Sequence, residues 1–152
     1  MKKYSILVFL ALLFFVSCGK EESLSKTDLL THKPWLLVSS IYNPPMPQEG
    51  GSIVNRIANW PECYKDDLYY YTSGGTYRLT EGATQCSEFD YGVLEVGVWA
   101  FNEDESKLYK GIFELLDEFD IVKLDGNELQ LRLILADTLQ NVYTLTETFR
   151  HP

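Results

Sequence analysis

Histidine is nearly missing from this chain: His32 and His151 are the only two in 152 residues. One lies just before a proline and the other is the penultimate residue, so neither a metal cluster nor a Ser-His-acid arrangement is suggested. No phosphate-cradling loop and no glycine-rich dinucleotide fingerprint occurs. Carboxylates are plentiful, but their spacing does not single out the pair that glycoside hydrolysis needs. The chain therefore reads as non-enzymatic, with no cofactor and no metal. Basic residues are also short, 13 against 22 acidic, for a net charge of -9. That balance repels phosphate backbones, so nucleic acid is not an expected partner. Long apolar runs are absent too. The longest, Ile6 to Val16, has eleven residues, where a spanning helix needs roughly twenty.

An apolar run of that length after Lys2 and Lys3 reads as an export signal. The residues that follow it, Phe15-Val16-Ser17-Cys18, resemble the bacterial lipobox, in which a small residue precedes a Cys that is diacylated and becomes the first residue of the mature chain. Phe15 stands where Leu is commonest. An ordinary signal with a later cleavage site is the alternative. Gly19-Lys20-Glu21-Glu22 resembles the short signal that sends Bacteroidetes lipoproteins to the outer face of the outer membrane. The expected organisation is a signal peptide over 1–17, a lipidated Cys18 with a polar tether over 18–25, and one domain over 26–152. The expected location is the outer membrane, surface-exposed, with a periplasm-facing anchor as the alternative. Removing residues 1–17 takes away two lysines and no acids, moving the formal charge from -9 to about -11. Attachment to the membrane would thus come from the lipid.

With Cys18 lipidated, Cys63 and Cys86 remain as an even pair in an oxidising compartment. Between them lie two strand-like runs, Leu68 to Thr72 and Thr76 to Leu79, joined at Ser73-Gly74-Gly75. Folding the hairpin about that turn brings the cysteines side by side and predicts a disulfide. Two free buried thiols are the alternative. Elsewhere the pattern is one strand after another. Leu129, Leu131, Leu133 and Leu135 alternate with Glu128, Gln130, Arg132 and Ile134, after a turn at Asp125-Gly126-Asn127 that pairs them with Phe119 to Leu124. Further strands are expected from Trp35 onward, over Val93 to Phe101, Leu108 to Leu115 and Val142 to Phe149, about eight in all. Helix is confined to Lys26 to Thr31, with Ser25 as its cap, before Pro34. Asn43 to Pro61 holds four of the six prolines, and reads as a long loop with at most one helical turn at Ile53 to Ala58.

A meander of eight strands protects its edges best by closing into a barrel. The stretches "LLTHKPWLLVSS", "CYKDDLYYYTSGGTYRLTEGATQC", "GVWAF" and "LDGNELQLRL" follow in an order and spacing similar to the small lipocalin-like domains of Bacteroidetes envelope lipoproteins. The match runs over about residues 27 to 150, with His32-Lys33-Pro34 where the family commonly has a Gly three positions before the Trp. The resemblance implies an all-β, antiparallel, up-and-down eight-stranded lipocalin-like barrel with a short N-terminal helix, and Trp35 and Trp99 inside. It implies no activity.

Alternation gives an inward set of Trp35, Tyr69, Tyr71, Tyr77, Trp99, Phe101, Leu131, Leu133, Tyr143 and Leu145, which either lines a pocket or simply forms the core. Glu147 shares the phase of Tyr143, Leu145 and Phe149, as a carboxylate either inside the barrel, where it would fix a ligand's polar end, or at the rim in reach of water. Glu95 has the same ambiguity. Asn59-Trp60-Pro61-Glu62 with Tyr64 forms either a sugar-binding platform or a loop anchor. The acidic stretches Asn102 to Ser106 and Glu114 to Asp120 lack calcium-loop spacing and read as solvated turns. Strand Val93 to Phe101 is apolar on both phases and needs a cover, from the proline-rich loop or a partner chain. Two functions follow: a binding module for a small apolar or amphiphilic molecule, or an accessory lipoprotein with a filled barrel that contacts an envelope protein or glycan through its loops. A cavity above roughly 300 Å³ favours the first.

Overall fold

A computed structural model describes residues 24–87 and 92–152. The lipidation site expected at Cys18 and its flanking signals lie outside the described residues. The chain starts with helix α1 (Lys26–Thr31), followed by β1 (Trp35–Gln48), β2 (Gly51–Asn55), the one-turn helix α2 (Glu62–Lys65), β3 (Leu68–Tyr71) and β4 (Thr76–Thr80). Five longer antiparallel strands then run up and down: β5 (Val93–Phe101), β6 (Lys107–Ile112), β7 (Leu115–Leu124), β8 (Glu128–Ala136) and β9 (Val142–Arg150). Consecutive strands from β3 to β9 are neighbours, and β1 pairs with both β3 and β9. These eight strands close into an antiparallel barrel, as expected, while β2 is an addition paired only with the far half of β1.

Local chemistry explains the joints. Ser25 and Asp28 form a reciprocal capping box at the start of α1. Gly75 takes a φ of 79° in the β3–β4 turn, a backbone open to glycine at no steric cost. The Asp125 carboxylate accepts from the backbone N–H groups of Asn127 and Glu128 and so fixes the β7–β8 turn. On β5, Gly97 faces Tyr77 across the ladder. A Cβ there would come 2.4 Å from the tyrosine ring, so the ring lies flat on β5 only because this residue is glycine.

One end of the barrel is sealed. Leu30 of α1, Trp35, Leu108, Leu131 and Phe149 are fully buried there. The Trp35 indole N–H donates to the Leu30 carbonyl at 2.8 Å. His151 stacks on the same indole with ring centroids 4.0 Å apart, and its Nδ1 donates to the Pro34 carbonyl.

Three expectations fail. Asn43 to Pro61 is not a loop: β1 continues through Pro44, Pro45 and Pro47 and turns back as β2. The prolines fit because β1 leaves β9 after Asn43, so beyond that point it needs few ladder donors. The helical turn expected at Ile53 to Ala58 is replaced by the end of β2 and an irregular turn, with helix only at α2. The strand expected over Leu108 to Leu115 ends at Ile112. The chain reverses at Phe113 and Glu114, with Phe113 at a φ of 56°, a reversal without the glycine that usually announces one.

The cysteine pair forms as expected, with Cys63 of α2 bonded to Cys86 of the β4–β5 connection and their Cα atoms 5.2 Å apart. Val96 and Val98 on the outer face of β5 stay exposed, because the proline-rich hairpin pairs with β1 instead of covering them.

Candidate functional site

Away from the sealed end, the same inward rows border a cavity of about 550 Å³. Its aromatic surface is Tyr69 of β3, Tyr77 of β4 and Phe119 of β7, and its aliphatic wall is Leu133 of β8 and Leu145 of β9. Ile112, Phe113 and Leu115 border it at the β6–β7 turn, where Phe113 and Leu115 are 90% and 84% exposed. This turn belongs to the open end of the barrel, opposite α1.

Charged groups converge on this space. Glu147 is 5% exposed. Its carboxylate accepts from the Arg56 guanidinium at 2.7 Å and from the Ser40 hydroxyl at 3.5 Å. Arg56 comes from the turn after β2 and lies over the Trp60 ring, 5.6 Å from its centroid. Glu95 on β5 accepts a hydrogen bond from the Tyr77 hydroxyl. Burial first, then this bond, pushes the Tyr77 phenol above its ordinary range. The Tyr69 phenol is also pushed up, by burial and then by the nearby Glu147 and Glu95. Lys110 on β6 completes the set, and burial lowers its pKa below the usual lysine value, against the pull of Glu147 and Glu95. Asp117 stands opposite Lys110 in the β6–β7 ladder and is exposed.

Of the expected inward set, Tyr69, Tyr77, Leu133, Leu145 and Glu147 border the cavity. Trp35, Tyr71, Trp99 and Leu131 belong to the packed core, with half-buried Phe101 against it. Tyr143 packs with Tyr42 and Leu145 beneath the β1–β2 hairpin. Glu147 takes the interior position, not the rim. Glu95 is half-buried.

Several cavity residues were not in the expected inward set. Lys110 shares the phase of Leu108 and Ile112, so its inward direction was visible in the pattern. Phe119 and Leu115 shared a comparable signal on β7. Arg56 gave none, because its partner Glu147 is 91 residues away.

The aromatic cluster at Trp60 occupies a separate place. Trp60, Pro61 and Tyr64 border an apolar groove of about 470 Å³ with Leu37, Leu79 and Leu94, while Asn59 and Glu62 point to solvent. Tyr69 borders both spaces. The acidic stretches are held by bonds within the protein. Asp104 accepts from Asn102 and from Ser106, and Glu118 and Asp120 pair with Lys107 at 2.6 and 3.0 Å.

No family model matches the chain, and no curated protein does. Among solved structures it is similar to bovine odorant binding protein in complex with a selenium-containing odorant. The identity is 18%, 88% of this chain and 76% of that chain are covered, and the TM-score is 0.45. The same bovine protein in complex with undecanal matches at 18% identity over 88% and 77% of the two chains, with a TM-score of 0.44. A deswapped triple mutant of it matches at 18% over 78% and 72%, with a TM-score of 0.41.

Proposed function

We propose that this chain is an outer-membrane-anchored, lipocalin-like lipoprotein, displayed at the cell surface, whose barrel binds a small amphiphilic molecule without transforming it. The observation that carries the binding reading is the cavity of about 550 Å³, well within the range of roughly 300 to 1,000 Å³ that small-molecule sites occupy. Apolar residues at its mouth and charged groups on its walls fit a ligand with one polar end and an apolar remainder. The accessory reading began from a barrel filled by its own side chains, and the open half of this one is not filled.

The anchor rests on Phe15 to Cys18 and the surface address on Gly19 to Glu22. Helix α1 enters at the sealed end, so a lipid on Cys18 would join the barrel at the end away from the mouth. Two experiments test the proposal. A neutral fluorescent probe, N-phenyl-1-naphthylamine, should gain intensity on the purified protein and saturate at one site, and a Leu145→Trp change that fills the cavity should abolish the gain. A wild type that leaves the probe dark would sink the binding reading. Palmitate labelling should mark the wild type and not Cys18→Ser, and replacing Lys20, Glu21 and Glu22 by Ala should reduce protease accessibility on whole cells while lipidation persists.

A further inference from the structure

The ammonium of Lys110 lies 4.8 Å from the centroid of the Tyr69 ring, 5.5 Å from Tyr77, 5.5 Å from Phe119 and 5.8 Å from Phe149. Those rings come from β3, β4, β7 and β9, on different sides of the barrel, so the charge stands near the barrel axis. No acceptor among the described residues hydrogen-bonds to it. An ammonium carries three donors, and ring faces attract its charge without accepting those hydrogens as an oxygen would. The other charges facing it are already engaged or wet: Glu147 with Arg56 and Ser40, Glu95 with Tyr77, and Asp117 in solvent.

Resting on the binding reading above, we propose that Lys110 is the head-group site of the cavity and that the ligand is a monocarboxylate with an apolar tail. The carboxylate sits on Lys110 Nζ, supplying the acceptors the rings cannot. The tail runs between Leu133 and Leu145 toward Ile112 and Phe113. Arg56 and Glu147 pair with each other, which leaves Lys110 as the cavity cation without a hydrogen-bonded counter-charge among the described residues, and Glu95 and Asp117 nearby disfavour a ligand with a second negative charge. This reassigns the polar end of the site from Glu147, which the alternation singled out, to a residue of opposite sign.

The test titrates decanoate, decanol and decyltrimethylammonium into the wild-type protein and K110M by calorimetry. The wild type should bind decanoate about tenfold or more tightly than decanol, the worth of one charge-assisted contact, with the cation weakest. K110M should lose the decanoate preference while its decanol affinity stays within about threefold. Equal binding of decanoate and decanol by the wild type, or preference for the cation, overturns the head-group assignment and leaves the cavity reading standing. A wild type that binds none of the three overturns both. If K110M fails to fold and binds nothing, the wild-type ranking alone decides.

Discussion

The two ends of the barrel are built from the same strands and differ in what their inward rows carry. On β8 the row passes from Leu129 and Leu131, 1% and 0% exposed, to Leu133 and Leu135, which are only partly buried. On β9 it passes from Phe149, fully buried, to Glu147 paired with Arg56. On β6 it passes from Leu108 to Lys110. Near α1, large apolar side chains meet and fill the lumen. Toward the β6–β7 turn, charged side chains interrupt the rows, and a cavity remains. A single alternating pattern thus yields a packed base and an open cup, with identity at each inward position deciding which.

The strongest way to break that comparison is a truncation at the base. Leu131→Ala should cost about 2 to 5 kcal/mol, because it adds a cavity to a tightly packed region. Denaturant melts measure it. Opening the disulfide with Cys63→Ser plus Cys86→Ser should cost about 3 kcal/mol, the loop-closure entropy regained by the unfolded chain. Its effect belongs to the flank of the barrel, so probe binding in the cup should survive. Leu133→Ala, beside space that is already open, should lose only the transfer term, about 1 to 2 kcal/mol. A loss as large as that at Leu131 would mean the cup is packed after all.

The outer face offers a smaller, pH-dependent contrast. Hydrogen bonds from Lys107 hold Glu118 and Asp120 below the ordinary carboxylate range, the latter aided by Arg132, and bonds from Arg150 and Lys123 do the same for Glu128. A depressed carboxyl contributes stability above its unfolded value and loses it as pH falls through the folded value. Thermal melts should therefore show a decline from about pH 4 downward, blunted by salt because the groups are solvent-accessible. The smallest effect is expected at Gln130, on the opposite phase from Leu131, where Ala should change stability by about 0.5 kcal/mol or less. If Gln130→Ala were worse than Leu131→Ala, the register of β8 would be wrong by one residue, and the inward set with it.

Much of the base was legible in the sequence. The Leu129 to Leu135 alternation, the glycine turn at Ser73 to Gly75 and the cysteine pair depend on neighbours close in the chain, where periodicity and turn chemistry carry the information. The cup was less legible. Prolines masked the β1–β2 hairpin, because the rule against proline in strands holds for fully paired strands and β1 is only half paired beyond Asn43. The inward phase of Lys110 was visible, but Tyr69 and Phe149, which face it, lie 41 and 39 residues to either side in the chain, a convergence that no local pattern encodes.

The joint between β1 and β3 holds only two register pairs, Trp35 with Tyr69 and Leu36 with Leu68, while β1 and β9 share a ladder from Leu36 with Arg150 to Asn43 with Thr144. Closure therefore depends on a contact between strands more than a hundred residues apart in the chain. Such a contact carries a high contact order and is slow to form. During synthesis the meander has no means of shutting until β9 has been made, so the chain stays an open ribbon until its last strand arrives and becomes a vessel only then.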